Sequence, residues 1–296
     1  MVVTRILCPI DLSDISRHVV DHASALARWY GARLVLLHIV VDGPVMGIPP
    51  PPIEDVQRDE LVAVMRKAAA NVPASVGTEF VVRQAAEAHV AILAEAAEQK
   101  PDLLVLGTHG RAGFKRLLLG SVAERVIRRS TCPTLVVPPR AADIPAATPV
   151  RFRQIVCAVD FSEWAVVAAT LGIHLARQTA AHLTLLHAIQ RPPELLEDAT
   201  DPDFNVDRIR AAAEADALRR LRDLLPHASD IPGAITTRVE EGEAYRAILR
   251  TASDVHADLI VMGVRGRNAT DLTIFGSTAN HVVREAACPV LIVRCG

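Results

Sequence analysis

Aromatic residues and lysines are scarce in this sequence of 296 residues. Phe, Trp and Tyr make up 3% of the chain and hydrophobic residues as a whole 50%, so its cores must consist of Val, Leu, Ile and Ala. Lysine occurs only at Lys67, Lys100 and Lys115, and the formal net charge is -2. This balance gives no sign of a basic face for nucleic acid or of a polybasic patch for a membrane.

Long apolar runs and paired cysteines are missing as well. No stretch reaches the roughly 18 apolar residues that suggest a membrane span, and the N-terminal residues show no signal-peptide pattern, so we expect none. None of the cysteines forms a CxxC or CxxH pair. We interpret them as small apolar residues of a reduced, cytoplasmic protein. The five are Cys8, Cys132, Cys157, Cys288 and Cys295.

One pattern occurs twice along the chain, in the same order. Residues 6–13 match 155–162, 34–39 match 183–188, 102–107 match 258–263, and 131–137 match 287–293. Such a repeat, together with the length, predicts two domains of one fold. We place the first at residues 1–139 and the second at 152–296. Residues 140–151 form a linker rich in Pro and Ala.

Each copy alternates between strand-like and helix-like segments. In the first copy, strands are predicted at 5–10, 33–40, 78–83, 102–106 and 134–137, with helices between them that include 54–71, 88–100 and 120–129. The second copy repeats this order, with a long helix at about 205–225. The pattern predicts an α/β fold of two tandem Rossmann-like domains, each with parallel strands and helices on both faces. Ligands of such sheets bind at the carboxyl ends of the strands.

A glycine pattern follows the fourth strand of each copy. Glycines at this point let backbone amides approach an anion closely, and the N-terminus of the next helix favours phosphate. The alternative is a strand-to-helix connection that simply needs turn residues. No Walker A motif, GxGxxG motif or metal-ligand cluster is present. The two motifs are Gly107, Gly110, Gly120 and Ser121, and Gly263, Gly266, Gly276 and Ser277. Arg111, Lys115, Arg116, Arg265 and Arg267 could balance phosphate charge.

Polar residues also end the first two strands of each copy. Asp11 and Asp160 could either cap the following helix or bind the sugar or base of a nucleotide. His38 and His187 are interpreted as hydrogen-bonded core histidines. His109 of the first copy aligns with Arg265 of the second, which argues against a catalytic histidine shared by both copies. Trp29 and Trp164 do not correspond, and we interpret them as packing residues.

The sequence resembles a tandem-domain universal stress protein over nearly all of its length except the linker. ATP-binding members of that family carry G-x2-G-x9-G-S/T, which both copies match. The resemblance implies that Asp11 and Asp160 contact the nucleotide and that backbone groups of Ile39 and Ala188 contact adenine. The glycines and the serines would hold ribose and phosphates, often with Mg²⁺ or Mn²⁺. Ala158 replaces the Pro9 of the first copy, so the second pocket is expected to differ in shape.

The same resemblance implies the assembly of the fold. Each copy should form a five-stranded parallel sheet, and family members often dimerise through the last strand. The apolar segments 134–137 and 290–293 suit such a contact. They could pair within the chain, and whole chains could still form a homodimer.

Our leading hypothesis is an ATP-binding regulatory protein with two ATP sites, which signals stress or growth state through an unknown protein partner. We predict no catalytic residue, because no base, nucleophile or metal cage is evident. One alternative is a slow ATPase or phosphotransferase using His109 and the loop arginines. Others are an interaction module with empty pockets and a redox sensor using Cys132 with Cys288 or Cys295.

Overall fold

The computed structural model describes residues 2–44, 50–108, 119–143, 150, 152–189, 206–225, 234–266 and 275–294. Short, mostly buried runs of branched residues form its strands, as expected for parallel strands covered on both faces. In the first half the strands are β1 Arg5–Pro9, β2 Arg33–Val41, β3 Thr78–Ala85, β4 Leu103–Gly107 and β5 Thr134–Val137. In the second half they are β6 Gln154–Ala158, β7 His182–Ile189, β8 Ile235–Glu241, β9 Leu259–Gly263 and β10 Val290–Val293.

Amphipathic helices connect the strands. They are α1 Ile15–Tyr30, α2 Asp55–Ala68, α3 Ala88–Gln99, α4 Ser121–Arg129, α5 Glu163–Thr179, α6 Val206–Asp223, α7 Ala244–Asp254 and α8 Ser277–Glu285. The predicted helices at 54–71 and 205–225 are therefore present, the first of them shorter by one residue at its start and three at its end. Within the described residues, no helix has both the length and the apolar character that crossing a bilayer requires.

The ten strands of the described residues belong to one sheet, in the order β3-β2-β1-β4-β5-β10-β9-β6-β7-β8. Within each half, every strand runs parallel to its neighbours. Alternate strand residues enter two separate cores, because successive side chains point to opposite faces. Helices α1, α2, α5 and α6 cover one face, and α3, α4, α7 and α8 cover the other. The predicted α/β fold with two five-stranded parallel halves is confirmed.

The two halves meet where β5 and β10 pair antiparallel. The paired residues are Val136 with Val290, Leu135 with Leu291, and Thr134 with Ile292. This pairing realises inside the chain the last-strand contact that the resemblance implies between domains. It also reverses the strand direction, so the carboxyl ends of the strands lie at opposite edges of the sheet in the two halves.

Arg294 of the second half adds hydrogen bonds across this junction of β5 and β10, which we call the seam. Arg294 follows β10, and its guanidinium donates hydrogen bonds to the carbonyl oxygens of Ser130, at 3.3 Å, and Arg128. Both carbonyls belong to the C-terminal end of α4, where a helix favours a positive charge. Burial, together with the nearby charge of Arg265, lowers the pKa of Arg294 below its ordinary value. The seam therefore joins the helix of one half to the last strand of the other.

One carboxylate contact differs between the halves in its electrostatics. Burial works to raise the pKa of Asp102, but the amide and hydroxyl of Thr4 and the amide of Arg5 donate to its carboxylate, and the pKa is lowered. In the second half, burial of Asp258 dominates and raises its pKa, although the amides of Arg153 and Gln154 donate to its carboxylate. Arg153 stands where the first half has Thr4, so the second half lacks the hydroxyl that donates to Asp102.

These shifts predict opposite effects of Asp102→Asn and Asp258→Asn on stability. A lowered pKa means that Asp102 stabilises the fold above its ordinary pKa, and that this is lost as the pH falls through its folded value. A raised pKa means that Asp258 costs stability as the pH rises from its ordinary value through its folded value. We expect Asp102→Asn to lower the melting temperature at pH 7 by a few degrees, and Asp258→Asn to leave it unchanged or raise it.

Thermal unfolding between about pH 2 and pH 7, a range that extends well below the ordinary carboxyl pKa of 3.8, tests the pair directly. The difference between each variant and the unsubstituted protein should shrink toward the acid end. Equal losses at pH 7 for the two variants would contradict the assignment.

Candidate functional site

The predicted site residues of the first half lie around one cavity. Its volume is about 1170 Å³, and its wall includes Asp11, Ile39, Gly107, Gly120 and Ser121. They come from the ends of β1, β2 and β4 and from the start of α4, which meet because parallel strands end at the same edge. Gly110 lies outside the described residues. Every described member of the predicted set in this half thus borders the same space.

Helix α2 closes the side of the cavity away from the glycines. Ile53, Leu61 and Val64 give this wall an apolar surface, and Gln57 and Glu60 add polar groups to it. The sheet order places β4 and its glycines at one end, Asp11 in the middle, and β2 with α2 at the other end. The cavity is therefore long, with backbone amides at one end and apolar side chains at the other. Sequence reasoning missed this wall, although the spacing of Leu61 and Val64 marks one face of a helix.

Asp11 and Asp160 organise the turns that follow their strands. The Oδ1 of Asp11 accepts hydrogen bonds from the Ser13 amide at 3.1 Å, the Ser13 hydroxyl at 2.7 Å and the Ser16 hydroxyl at 2.9 Å. The Oδ1 of Asp160 likewise accepts from the amide and hydroxyl of Ser162, at 3.0 and 2.6 Å. These are Asx turns, which fix a carboxylate against its own backbone.

The alternative interpretation of these aspartates as helix N-caps is wrong. The N-cap of α1 is Asp14, and that of α5 is Ser162, whose hydroxyl accepts from the amide of Ala165 at 3.2 Å. The aspartates precede the caps and instead hold the ends of the first strands in place.

Backbone strain accompanies each of these turns. Leu12 and Phe161, which follow the two aspartates, adopt left-handed conformations with φ values of 61° and 64°. A residue with a bulky side chain costs on the order of 1 kcal/mol there, so surrounding contacts must hold it. Strain of this kind at equivalent points of both halves is typical of positions where geometry serves binding.

His38 and His187 are hydrogen-bonded structural histidines, as predicted. The Nδ1 of His38 donates to the carbonyl oxygen of Ile10 at 2.9 Å, and that of His187 to Val159 at 2.7 Å. A carbonyl oxygen only accepts, so Nδ1 carries the proton. These bonds fasten the end of the second strand to the end of the first in each half.

The pairing of β2 with β1 leaves the backbone of Ile39 facing the cavity. The carbonyl oxygen of Leu37 accepts from the amide of Ile10, which ends the pairing of β2 with β1. Ile39 follows two residues later, so its amide and carbonyl face the same side of β2, beyond the end of β1. Ala188 has the same place in the second half, two residues after Leu186, whose carbonyl accepts from Val159.

The third glycine of each motif, Gly120 or Gly276, permits a close approach of two backbone segments. The amide of Gly120 donates to the carbonyl of Thr108 at 2.8 Å, and the amide of Gly276 to that of Val264 at 3.1 Å. A Cβ atom at either glycine would lie 3.2 Å from that same oxygen. Each glycine is the N-cap of the following helix, and neither α4 nor α8 has a side-chain cap bond. The first helical amides, beginning at Ser121 and Ser277, have no acceptor within their own helix.

In the second half, the glycines that end and follow β9 lie against Trp164 and Asp160. Gly263 ends β9, and a Cβ atom on Gly266 would lie 2.7 Å from the Oδ2 of Asp160. The loop therefore rests directly on that carboxylate. Arg265 is only 5% exposed, and its guanidinium carbon lies 5.8 Å from the ring centre of Trp164. The sequence suggested Arg265 as a counter-charge for phosphate, and the structure buries it beside an indole. Arg111, Lys115, Arg116, Arg267 and His109 lie outside the described residues.

The cysteines are packing residues in the part of the chain that the structure describes. Burial raises the pKa of Cys8, Cys157 and Cys288 to about 12, and it also raises that of Cys132. A thiol of this kind carries little thiolate and reacts slowly with oxidants. The burial of Cys132 and Cys288 and the raised pKa values of their thiols disfavour the redox-sensor alternative, and Cys295 lies outside the described residues.

Known proteins resemble this chain in both sequence and fold. A universal stress protein of Methanocaldococcus jannaschii is 34% identical over 140 residues, which cover 45% of this chain and 81% of that protein. The crystal structure of a universal stress protein from Archaeoglobus fulgidus covers 99% of this chain and 96% of its own, at 23% identity and a TM-score of 0.68, and shows the shared fold.

A further solved structure is that of a universal stress protein in complex with cAMP. It matches 50% of this chain and 100% of its own length, with 22% identity and a TM-score of 0.38. The sequence pattern of the universal stress protein family itself matches twice, at residues 3–138 and 151–294. The chain therefore belongs to the universal stress protein family and carries its domain twice in tandem.

Proposed function

We propose that this protein binds ATP and acts in the cytoplasm as a regulatory protein whose nucleotide state signals stress or growth state. The observation that carries the proposal is the single cavity that gathers Asp11, the backbone of Ile39, Gly107, Gly120 and Ser121. Its volume of about 1170 Å³ exceeds the range of roughly 300–1,000 Å³ typical of pockets for small molecules. This volume supports a ligand of the size of a nucleotide.

The proposed pose follows the chemistry of the cavity from end to end. The amides at the start of α4 and the Ser121 hydroxyl would receive phosphate, because a helix N-terminus favours negative charge. The Asp11 carboxylate at the centre would accept hydrogen bonds from ribose hydroxyls. The apolar wall of Ile53, Leu61 and Val64 would contact the base, and backbone groups of Ile39 would bind its edge. In the second half the corresponding set is Asp160, Ala188, Gly263, Gly266, Gly276 and Ser277.

A divalent cation would have few protein ligands in this site. The described residues contain no group of three or more His, Cys, Asp or Glu side chains that could hold a metal. Mg²⁺ commonly keeps its waters and binds substrate phosphates with one or two protein oxygens. The Ser121 hydroxyl suits that role, so we propose that Mg²⁺ or Mn²⁺ enters with ATP.

We also propose the domain boundaries and the assembly. The domains are residues 1–139 and 152–296, joined by the linker 140–151. Its first part packs on the first domain, since Ala141 is buried and Asp143 lies 3.0 Å from His18 of α1. Because β5 and β10 pair with each other inside the chain, a homodimer of whole chains would use another surface, such as the outer edge of the sheet at β3 or β8. An unidentified protein would read the nucleotide state.

We predict that Ser121→Ala and Asp11→Asn each weaken ATP binding in the first half. Losing a hydrogen bond to a charged phosphate should raise Kd about tenfold, and removing the Asp11 charge should act on the ribose contact in the same direction. Isothermal titration with ATP measures both effects.

Two matched substitutions serve as controls for this titration. Ser75→Ala changes an exposed serine before β3, and Asp14→Asn changes an exposed aspartate that caps α1 without a side-chain bond. Neither residue borders the cavity, so both controls should bind ATP as the unsubstituted protein does. Protein that purifies without nucleotide and binds ATP no better than at millimolar concentration would refute the proposal.

We further predict that ATP bound to the protein turns over more slowly than about once per minute, because phosphoryl transfer needs a residue that positions the nucleophile and a defined metal site. Release of phosphate at 37 °C, with Ser121→Ala as the comparison, measures this. Faster turnover that Ser121→Ala abolishes would favour the alternative of an ATPase or phosphotransferase.

A further inference from the structure

The two halves share a backbone cradle but differ in the side chains around it. Both have the Asx turn, the histidine bond to the first strand and the glycine approach to a carbonyl. Around the first cradle lie Ile15 and Val64, both in the cavity wall. Their counterparts in the second half are Trp164, at the same place after Asp160, and Arg220, which precedes Leu221 as Val64 precedes Met65. Met65 and Leu221 are fully buried residues of α2 and α6.

At the base end of the second site, Arg220 stacks on an aromatic ring. Its guanidinium carbon lies 3.9 Å from the centre of the Phe161 ring, and that ring contacts His187 with centroids 4.5 Å apart. The corresponding residues of the first half are Val64, Leu12 and His38. An arginine on a ring face is a favourable cation–π contact, and Arg220 takes the position of Val64, which lines the cavity in the first half.

At the phosphate end, Arg265 makes the matching contact with Trp164. The guanidinium carbon is 5.8 Å from the indole centre, and the residue is 5% exposed. The neighbouring Gly266 lies against the Asp160 carboxylate, so close that a Cβ atom would stand 2.7 Å from its oxygen. The loop therefore lies against the carboxylate proposed to bind ribose.

We propose that the second site is closed by its own side chains, so that one chain binds a first nucleotide in the first half and a second one only after Arg220 and Arg265 move. This inference rests on the proposed function and adds its stoichiometry. Opening the second site costs two cation–π contacts, each of modest strength. We therefore expect the second nucleotide to bind roughly tenfold or more weakly than the first.

The chain offers an internal reporter for the order of filling. It contains only two tryptophans, Trp29 and Trp164, and Trp29 contacts Tyr30 and Phe152 at the far end of α1. In a Trp29→Phe protein, the fluorescence of Trp164 reports the second site alone. Titration with MgATP should show a first binding event by calorimetry with constant fluorescence, followed by a weaker event with a change in fluorescence.

Exchanging Arg220 and Val64 between the halves tests whether Arg220 causes the weaker second binding event. Arg220→Val installs the residue of the first half and should strengthen the weaker event about tenfold. Val64→Arg should weaken the tight event by a similar factor. The matched control is Arg219→Val, which removes the same charge from a neighbouring side chain that is 71% exposed and pairs with Asp216. This control should leave both events unchanged.

The outcomes separate the two proposals. Three outcomes would overturn the closed second site while leaving ATP binding intact. They are two events of equal affinity, a Trp164 fluorescence change during the first event, and an Arg220→Val protein whose weaker event is unchanged. Absence of any binding event in every protein would overturn the proposed function as well. Should Arg220→Val fail to fold, the order of the Trp164 signal in Trp29→Phe still decides, because that substitution leaves α6 untouched.

Discussion

The antiparallel pairing of β5 and β10 is the constraint on which the rest of this structure depends. It closes two otherwise exposed strand edges, which would be open to pairing with other chains, and it makes one continuous sheet from two parallel halves. Because strand direction reverses at the seam, the two sites lie at opposite edges of the sheet and cannot share a ligand. Each half must therefore build a complete site from its own residues, and the two sites can differ without disturbing each other's geometry.

Backbone groups rather than side chains define the cradle in each half. The Asp11 turn, the His38 bond and the approach of Gly120 to the Thr108 carbonyl all fix main-chain positions, and the same contacts recur at Asp160, His187 and Gly276. The left-handed residues Leu12 and Phe161 show that the turn is kept at a conformational cost. A cradle made of amides suits phosphate, whose recognition depends on charge and hydrogen-bond acceptors more than on shape.

Much of this arrangement could be predicted from the sequence because its signals are local or periodic. The repeat, the alternation of strands and helices, and the glycine spacing place Gly107, Gly120 and Ser121 next to Asp11 through the ordinary rule for parallel sheets. The wall formed by α2 was not predictable, since it depends on how a helix packs far from the glycines in sequence. The stacking of Arg220 on Phe161 joins α6 to a turn 59 residues earlier in the sequence, and no local pattern indicates such a contact.

Two differences between the halves fall where a ligand would lie. Core positions exchange one aliphatic residue for another, such as Leu7 for Val156, or keep the same one, as Cys8 and Cys157 do. Lining positions instead change class, from Val64 to Arg220 and from Ile15 to Trp164. Packing density tolerates the first kind of change at little cost, whereas the second kind changes what the site can hold. On our proposal, a duplicated fold that keeps its cradle and changes the side chains around it has the means to give two sites unequal affinities for one nucleotide.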